Sequence, residues 1–204
     1  MSPRPSPPVD AVLQQIEAAF GESVPAAAGR DRVNLAERLA ERTRQAKIMI
    51  IDDDPLTVEA LRQFLADGGF ERVIGTPRTD MALWLAQQEK PDLILLDLFM
   101  PGGNGLILLE QMRRAPELAH VPVVMVTAAV DYQAKLAALR RGATDFLNKP
   151  VHPEELIARV TNIVRATVHS ELLREAERQG RLMAQRELAQ AESIQMRLFP
   201  TQSR

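Results

Sequence analysis

Short, mostly apolar runs recur along the middle of the chain: KIMII at 47–51, RVIG at 72–75, DLILL at 92–96, PVVMV at 122–126 and ATDFL at 143–147. Runs of this length with little alternation suit strands buried on both faces. Between them lie stretches with helical spacing at 55–67, 79–89, 105–115 and 131–141, and a fifth begins near Glu154. Five strand–helix units predict an α/β architecture, an open parallel sheet covered by helices on both faces. Within 79–89 the neighbours Met81, Leu85 and Gln88 predict that Trp84 faces the core. No internal repeat is evident.

The flanks follow other patterns. Residues 1–8, MSPRPSPP, predict a disordered tail. Residues 9–46 predict a helical extension in two pieces. Val9, Val12, Leu13, Ile16, Ala19 and Phe20 share one face, GESVPAAAG at 21–29 interrupts, and a charged helix resumes with Val33, Ala36, Leu39 and Ala40 on one side. Those faces need a partner, either the main domain or another chain. After the main domain, expected over 47–168, the linker 169–200 is helical, since 154–199 contains no proline and only Gly180 among glycines. Its imperfect stripe of Leu172, Ala176, Met183, Leu188, Ala191, Ile194 and Leu198 fits a coiled coil that makes a homodimer, or else a solvated helical linker.

Composition narrows the classes. A hydrophobic content of 46 % supports a core, and an aromatic content of 4 % makes that core mostly Leu, Val, Ile and Ala. The formal net charge of −2 gives no general attraction to nucleic acid or to an anionic membrane. The absence of cysteine excludes a disulfide scaffold, a thiolate metal site and a cysteine nucleophile. No apolar run approaches the roughly 18–20 residues that span a bilayer, and the N-terminus has no apolar signal core. A cytoplasmic protein is expected. His120, His152 and His169 are scattered without a metal-binding pattern and are read as structural.

The candidate chemistry begins at IMIIDDDP, residues 48–55, where apolar residues run into three aspartates. In an open parallel sheet, ligands bind beyond the carboxyl ends of the strands. Asp52 and Asp53 end the first strand, and Asp97 ends the third, in LILLDLFMP. Three carboxylates meeting in one crevice repel one another unless a cation lies among them, and oxygen ligands of this kind suit Mg²⁺. Asp54 plays a different part, because it precedes Pro55 as a helix N-cap precedes proline at the first helical position. The Thr127 hydroxyl ends the fourth strand, and the Lys149 ammonium follows the fifth, before a proline expected to be cis. A metal, a lysine and a hydroxyl around one aspartate are what phosphoryl transfer to a carboxylate requires. GGNG at 102–105 follows Met-Pro and leads no GK[ST] helix, so it reads as a tight turn.

In that order, IIDDDP, PDLILLDLFMPGGNGL, VVMVTA and GATDFLNKP resemble a two-component response-regulator receiver domain over about 46–168. The resemblance implies a flavodoxin-like sheet of order 2-1-3-4-5 and a phosphoacceptor at Asp97. It implies direct Mg²⁺ ligation by Asp53, outer-sphere support from Asp52, ligation through the Phe99 backbone carbonyl, Lys149 as counter-ion and a Thr127–Phe146 switch pair. It also implies a sensor histidine kinase or phosphotransfer protein as partner, and no enzymatic activity of the domain itself. Phe99 and Ala129 occupy two positions where neither side chain can hold an attacking water, which predicts a long-lived phosphoryl group. The switch aromatic is Phe146 rather than tyrosine.

RELAQAESIQMRLFP at 186–200 resembles the helix that precedes a metal-dependent serine/threonine phosphatase domain in bacterial stress-response regulators, with Ala191, Ile194, Gln195, Leu198 and Pro200 fitting the pattern. Within these 204 residues no room remains for that domain. A stand-alone receiver acting through its helical arms, or one joined to a cyclic-dinucleotide enzyme, stays open. No helix-turn-helix follows the receiver to support DNA binding.

Overall fold

The computed structural model describes residues 29–100, 103–128 and 132–198. The expected tail over 1–8, the first expected helix from Val9 to Phe20 and Ala129 lie outside the described residues. By its contacts the chain divides into two units, on either side of a boundary between Arg165 and Ala166.

The first unit opens with α1, Gly29–Arg44, followed by β1, Lys47–Ile51. Then come α2 at Pro55–Asp67, β2 at Arg72–Thr76, a short 3₁₀ turn at Thr79–Met81 and α3 at Ala82–Glu89. β3, Leu93–Asp97, leads through a two-residue ribbon, Phe99–Met100 against Gly103–Asn104, into α4 at Gly105–Arg114. β4 at Val123–Thr127, α5 at Tyr132–Arg140, β5 at Asp145–Asn148 and the start of α6, which spans Pro153–Leu198, complete it. The five long strands pair in parallel in the order β2-β1-β3-β4-β5. Counted over the sheet alone, this is the expected 2-1-3-4-5.

Sequence explains the order of burial. Every residue of β3 and β4 is buried, as central strands of a doubly covered sheet must be, whereas the edge strands β2 and β5 are only partly covered. Alternation sends Met49, Ile51, Ile94, Leu96, Val123 and Met125 to one face, where they pack with Ala82, Ala86, Leu109 and Met112. Val58, Leu61 and Leu65 of α2 and Leu156, Ile157 and Val160 of α6 are buried as well. Each such side chain contributes about 1.5–3 kcal/mol on leaving water.

Two helix starts beside the strand ends are set by local chemistry. Asp54 caps α2, its carboxylate accepting from the amides of Leu56 and Thr57, with Pro55 in the first turn. The bond from the Thr57 hydroxyl, with those two amides, holds the Asp54 carboxyl below the usual carboxylate range. Asn104 caps α4 by accepting from the Leu106 amide. Gly105 follows because a β-carbon there would lie 2.2 Å from the Asp97 carbonyl oxygen. The turn after β3 is thereby held tight against the strand end.

One expectation changes. Trp84 does not face the core: it is 54 % exposed, and α3 turns Ala82 and Ala86 inward instead. Ala82 and Ala86 lie in the core cluster, so the face of α3 that carries them is the buried one and the indole stays outside. The three histidines are exposed.

The second unit is the remainder of α6, helical without a break through Gly180 to Leu198. Of the expected stripe, Leu172 is buried, whereas Met183 and Leu188 are about two-thirds exposed at 64 % and 66 %. No helix of the described residues is long and apolar enough to cross a membrane.

Candidate functional site

Parallel register brings four strand ends to one crevice. Ile51 pairs with Leu96, so Asp52 leaves β1 beside the end of β3, where Asp97 is the last residue. Thr127 pairs with Asn148, and the Lys149 amide continues that ladder by donating to the Thr127 carbonyl at 2.9 Å. Lys149 is therefore aimed by the sheet itself. The Lys149–Pro150 bond is cis, as expected.

From that position the Lys149 ammonium donates to Asp52 Oδ2 at 2.7 Å and to Asp97 Oδ2 at 3.0 Å. The other Asp52 oxygen accepts from the Asp54 amide at 3.0 Å, and Asp97 Oδ1 accepts from the Phe99 amide at 3.4 Å. Asp52 and Asp97 are almost fully buried, at 2 % and 5 % exposure, and Asp53 is half-buried. Oxygens from Asp52, Asp53 and Asp97 all lie within 4.8 Å of one another.

The electrostatics follow from this crowding. Burial pushes the Asp97 carboxyl above the usual carboxylate range. Lys149 pulls it back, and the charge of Asp52 raises it further. For Lys149, burial acts to lower the ammonium, but its hydrogen bonds to Asp52 and Asp97 outweigh that and hold it above the usual lysine range. One ammonium among three carboxylates leaves the site acidic. The donor set fits Mg²⁺: hard carboxylate oxygens converge within one ion's reach, and their mutual repulsion favours a divalent cation. When bound, such an ion supplies positive charge against phosphoryl oxygens.

The charged residues that the sequence singles out for the chemistry reach this region. Asp52, Asp53, Asp97 and Lys149 converge, Thr127 is buried at the adjoining strand end, and Phe99, two residues after Asp97, is 61 % exposed. Phe146 lies two residues before Asn148 on β5, partly buried against the core. The direct bond between Lys149 and Asp52 goes beyond the sequence reading, although one lysine among three aspartates signals a shared counter-ion. Lys135 carries no signal in the sequence at all. Its ammonium donates to Asn148 Oδ1 at 2.7 Å and stands 4.5 Å above the Phe146 ring centre.

This constellation, on a sheet of this order, defines a class. The chain matches the response regulator receiver domain family over residues 48–161 and belongs to it. Its relatives include the transcriptional regulatory protein BaeR of Escherichia coli, 37 % identical over 58 % of this chain and 48 % of that protein. The DNA-binding response regulator MtrA of Mycolicibacterium smegmatis is 40 % identical over 58 % of this chain and 50 % of its own length. Response regulator PleD of Caulobacter vibrioides is 35 % identical over 68 % of this chain and 30 % of its own. The chain thus spans half or less of these curated relatives.

Solved structures agree. A response regulator from Chloroflexus aurantiacus superposes with a TM-score of 0.56 at 34 % identity, covering 59 % of this chain and 98 % of that one. The beryllofluoride-activated receiver domain of RstA from Klebsiella pneumoniae gives 0.54 at 31 % identity, covering 58 % and 98 %.

Proposed function

We propose that residues 47–168 are a phosphorylation-controlled receiver in which Asp97 accepts a phosphoryl group from a sensor histidine kinase or phosphotransfer protein. The observation that carries this reading is the bridge from Lys149 to both Asp52 and Asp97 beside Asp53. In the step, an Asp97 carboxylate oxygen forms the bond to phosphorus as the bond to the donor's leaving group breaks. Lys149 neutralises charge on the transferred group, and the Thr127 hydroxyl donates to one of its oxygens. Asp53, Asp97 and the Phe99 carbonyl are the proposed Mg²⁺ ligands, with Asp52 in a supporting role. Receiver domains of this family are regulatory phosphoacceptors rather than enzymes.

The output runs through α6, the helix that follows the site and continues to Leu198. Its exposed Leu173, Leu182, Met183 and Leu188 support a homodimer through this helix. The pattern Ala191–Pro200 supports a serine/threonine phosphatase domain as the output, in a cytoplasmic stress-response setting. The primary test is incubation of the protein with a small phosphodonor and Mg²⁺. The intact mass should rise by one phosphoryl group, and Asp97→Asn should show no rise. Labelling retained in that variant would overturn the assignment.

A further inference from the structure

We infer that Lys135 is a positioning residue that restrains the end of β5, and that its release is part of the cost of switching; this rests on the phosphoacceptor reading above. The ammonium of Lys135, on α5, makes two contacts with one strand. It donates to Asn148 Oδ1 at 2.7 Å and sits 4.5 Å over the Phe146 ring. Phe146 and Asn148 are two residues apart, so their side chains lie on the same face of β5, and one cation bridges both. Such a cation over a ring is held by the ring's quadrupole, and the amide oxygen adds a charge-assisted hydrogen bond.

The strand held in this way leads directly into Lys149 of the site. Asn148 pairs with Thr127, and the next residue is Lys149, whose amide bonds the Thr127 carbonyl and whose ammonium bonds Asp52 and Asp97. A displacement of Phe146, Asn148 or α5 beyond the reach of the flexible lysine stem breaks these contacts. Lys135 touches neither carboxylate. It acts on them only by favouring one arrangement of β5. Phe146 has no hydroxyl with which to fix its own position, so the cation supplies the restraint.

A ligand that requires the strand to rearrange binds more weakly by the factor with which Lys135 favours the present arrangement. The test uses the full chain, with 4-fluorophenylalanine placed at Phe146 as a fluorine NMR reporter, and beryllofluoride with Mg²⁺ as the phosphoryl mimic. Lys135→Met keeps the aliphatic stem and removes the cation. It should move the resting Phe146 resonance and tighten beryllofluoride binding about fivefold. Lys135→Arg restores a cation and a donor and should return both readouts toward the parent. A parent that binds beryllofluoride and a Lys135→Met variant that binds it equally would overturn the inference alone, as would an arginine variant that behaves like the methionine one. If no version binds the mimic while the resonance still responds to Lys135→Met, the phosphoacceptor reading fails and takes the inference with it.

Discussion

Where the strands begin, charges are matched. The Lys47 ammonium donates to the Glu89 carbonyl at 2.5 Å and pairs with the Glu89 carboxylate at 3.0 Å, while the Lys47 amide donates to Asp92 at 2.7 Å. Arg113 satisfies the carbonyls of Leu118, Val121 and Gly142 and so ties α4 to the turns that lead into β4 and β5. Where the strands end, three carboxylates share one ammonium, and two of the three are almost fully buried. One end of the sheet is closed by complementary groups. The other keeps a surplus of negative charge that a ligand must complete. The first end is arranged for stability, and the second has the surplus charge of a candidate binding site.

Substitutions at the two ends should therefore fail in different ways. At the acidic end, Lys149→Met should slow phosphorylation by a small phosphodonor by about 100-fold or more, the usual scale for losing a donor to developing charge. Time-resolved intact mass measures it. A loss below about tenfold would remove Lys149 from the chemistry.

At the opposite end, Arg113→Ala should lower unfolding stability by about 2–3 kcal/mol, because three carbonyls lose a charged donor. Mg²⁺ affinity should stay within about twofold of the parent, since no contact of Arg113 reaches the carboxylates. Urea denaturation and Mg²⁺ titration together read this contrast, and parallel losses in both would abolish it.

The metal-free protein should gain about 1 kcal/mol from Asp97→Asn, which removes a desolvated charge and leaves an acceptor for Lys149. The sign follows from the raised Asp97 carboxyl. The folded chain binds its proton at a pH where the unfolded chain has released it. Stability therefore falls as pH rises from the ordinary carboxylate range through the raised folded value, and stays lower above it. Asp97→Asn should flatten this part of the stability–pH profile. A steeper profile in the variant would show that the Lys149 bond outweighs burial.

The smallest effect belongs to the second unit. A β-carbon at Gly180 would meet nothing within 4 Å, so Gly180→Ala should stabilise the helix by about 0.5–1 kcal/mol without a clash. Helicity by circular dichroism should rise, and the stability of the receiver should not change.

Much of this is legible in the chain because strands buried on both faces are written as short apolar runs, and each candidate group sits at the end of such a run. Asp52, Asp97, Thr127 and Lys149 need only the rule that parallel strands end at one rim. Asp54 and Pro55 declare a helix start by chemistry confined to neighbouring residues. Trp84 departs from its expected place because Met81, Leu85 and Gln88 describe a helix face without saying which face meets the sheet. The packing that buries Ala82 and Ala86 makes that choice.

Lys135 marks the same boundary. Its place on a helix follows from local periodicity, but its position over Phe146 and against Asn148 depends on how α5 lies across β5. So does the bond from Lys149 to Asp52, between residues 97 apart in sequence. Sequence by itself determined which residues form strands, helices and caps, because those depend on neighbours along the chain. Which ammonium reaches which carboxylate or ring was decided only by tertiary structure, since such contacts fall off within a few ångströms and those distances exist only after the helices pack on the sheet.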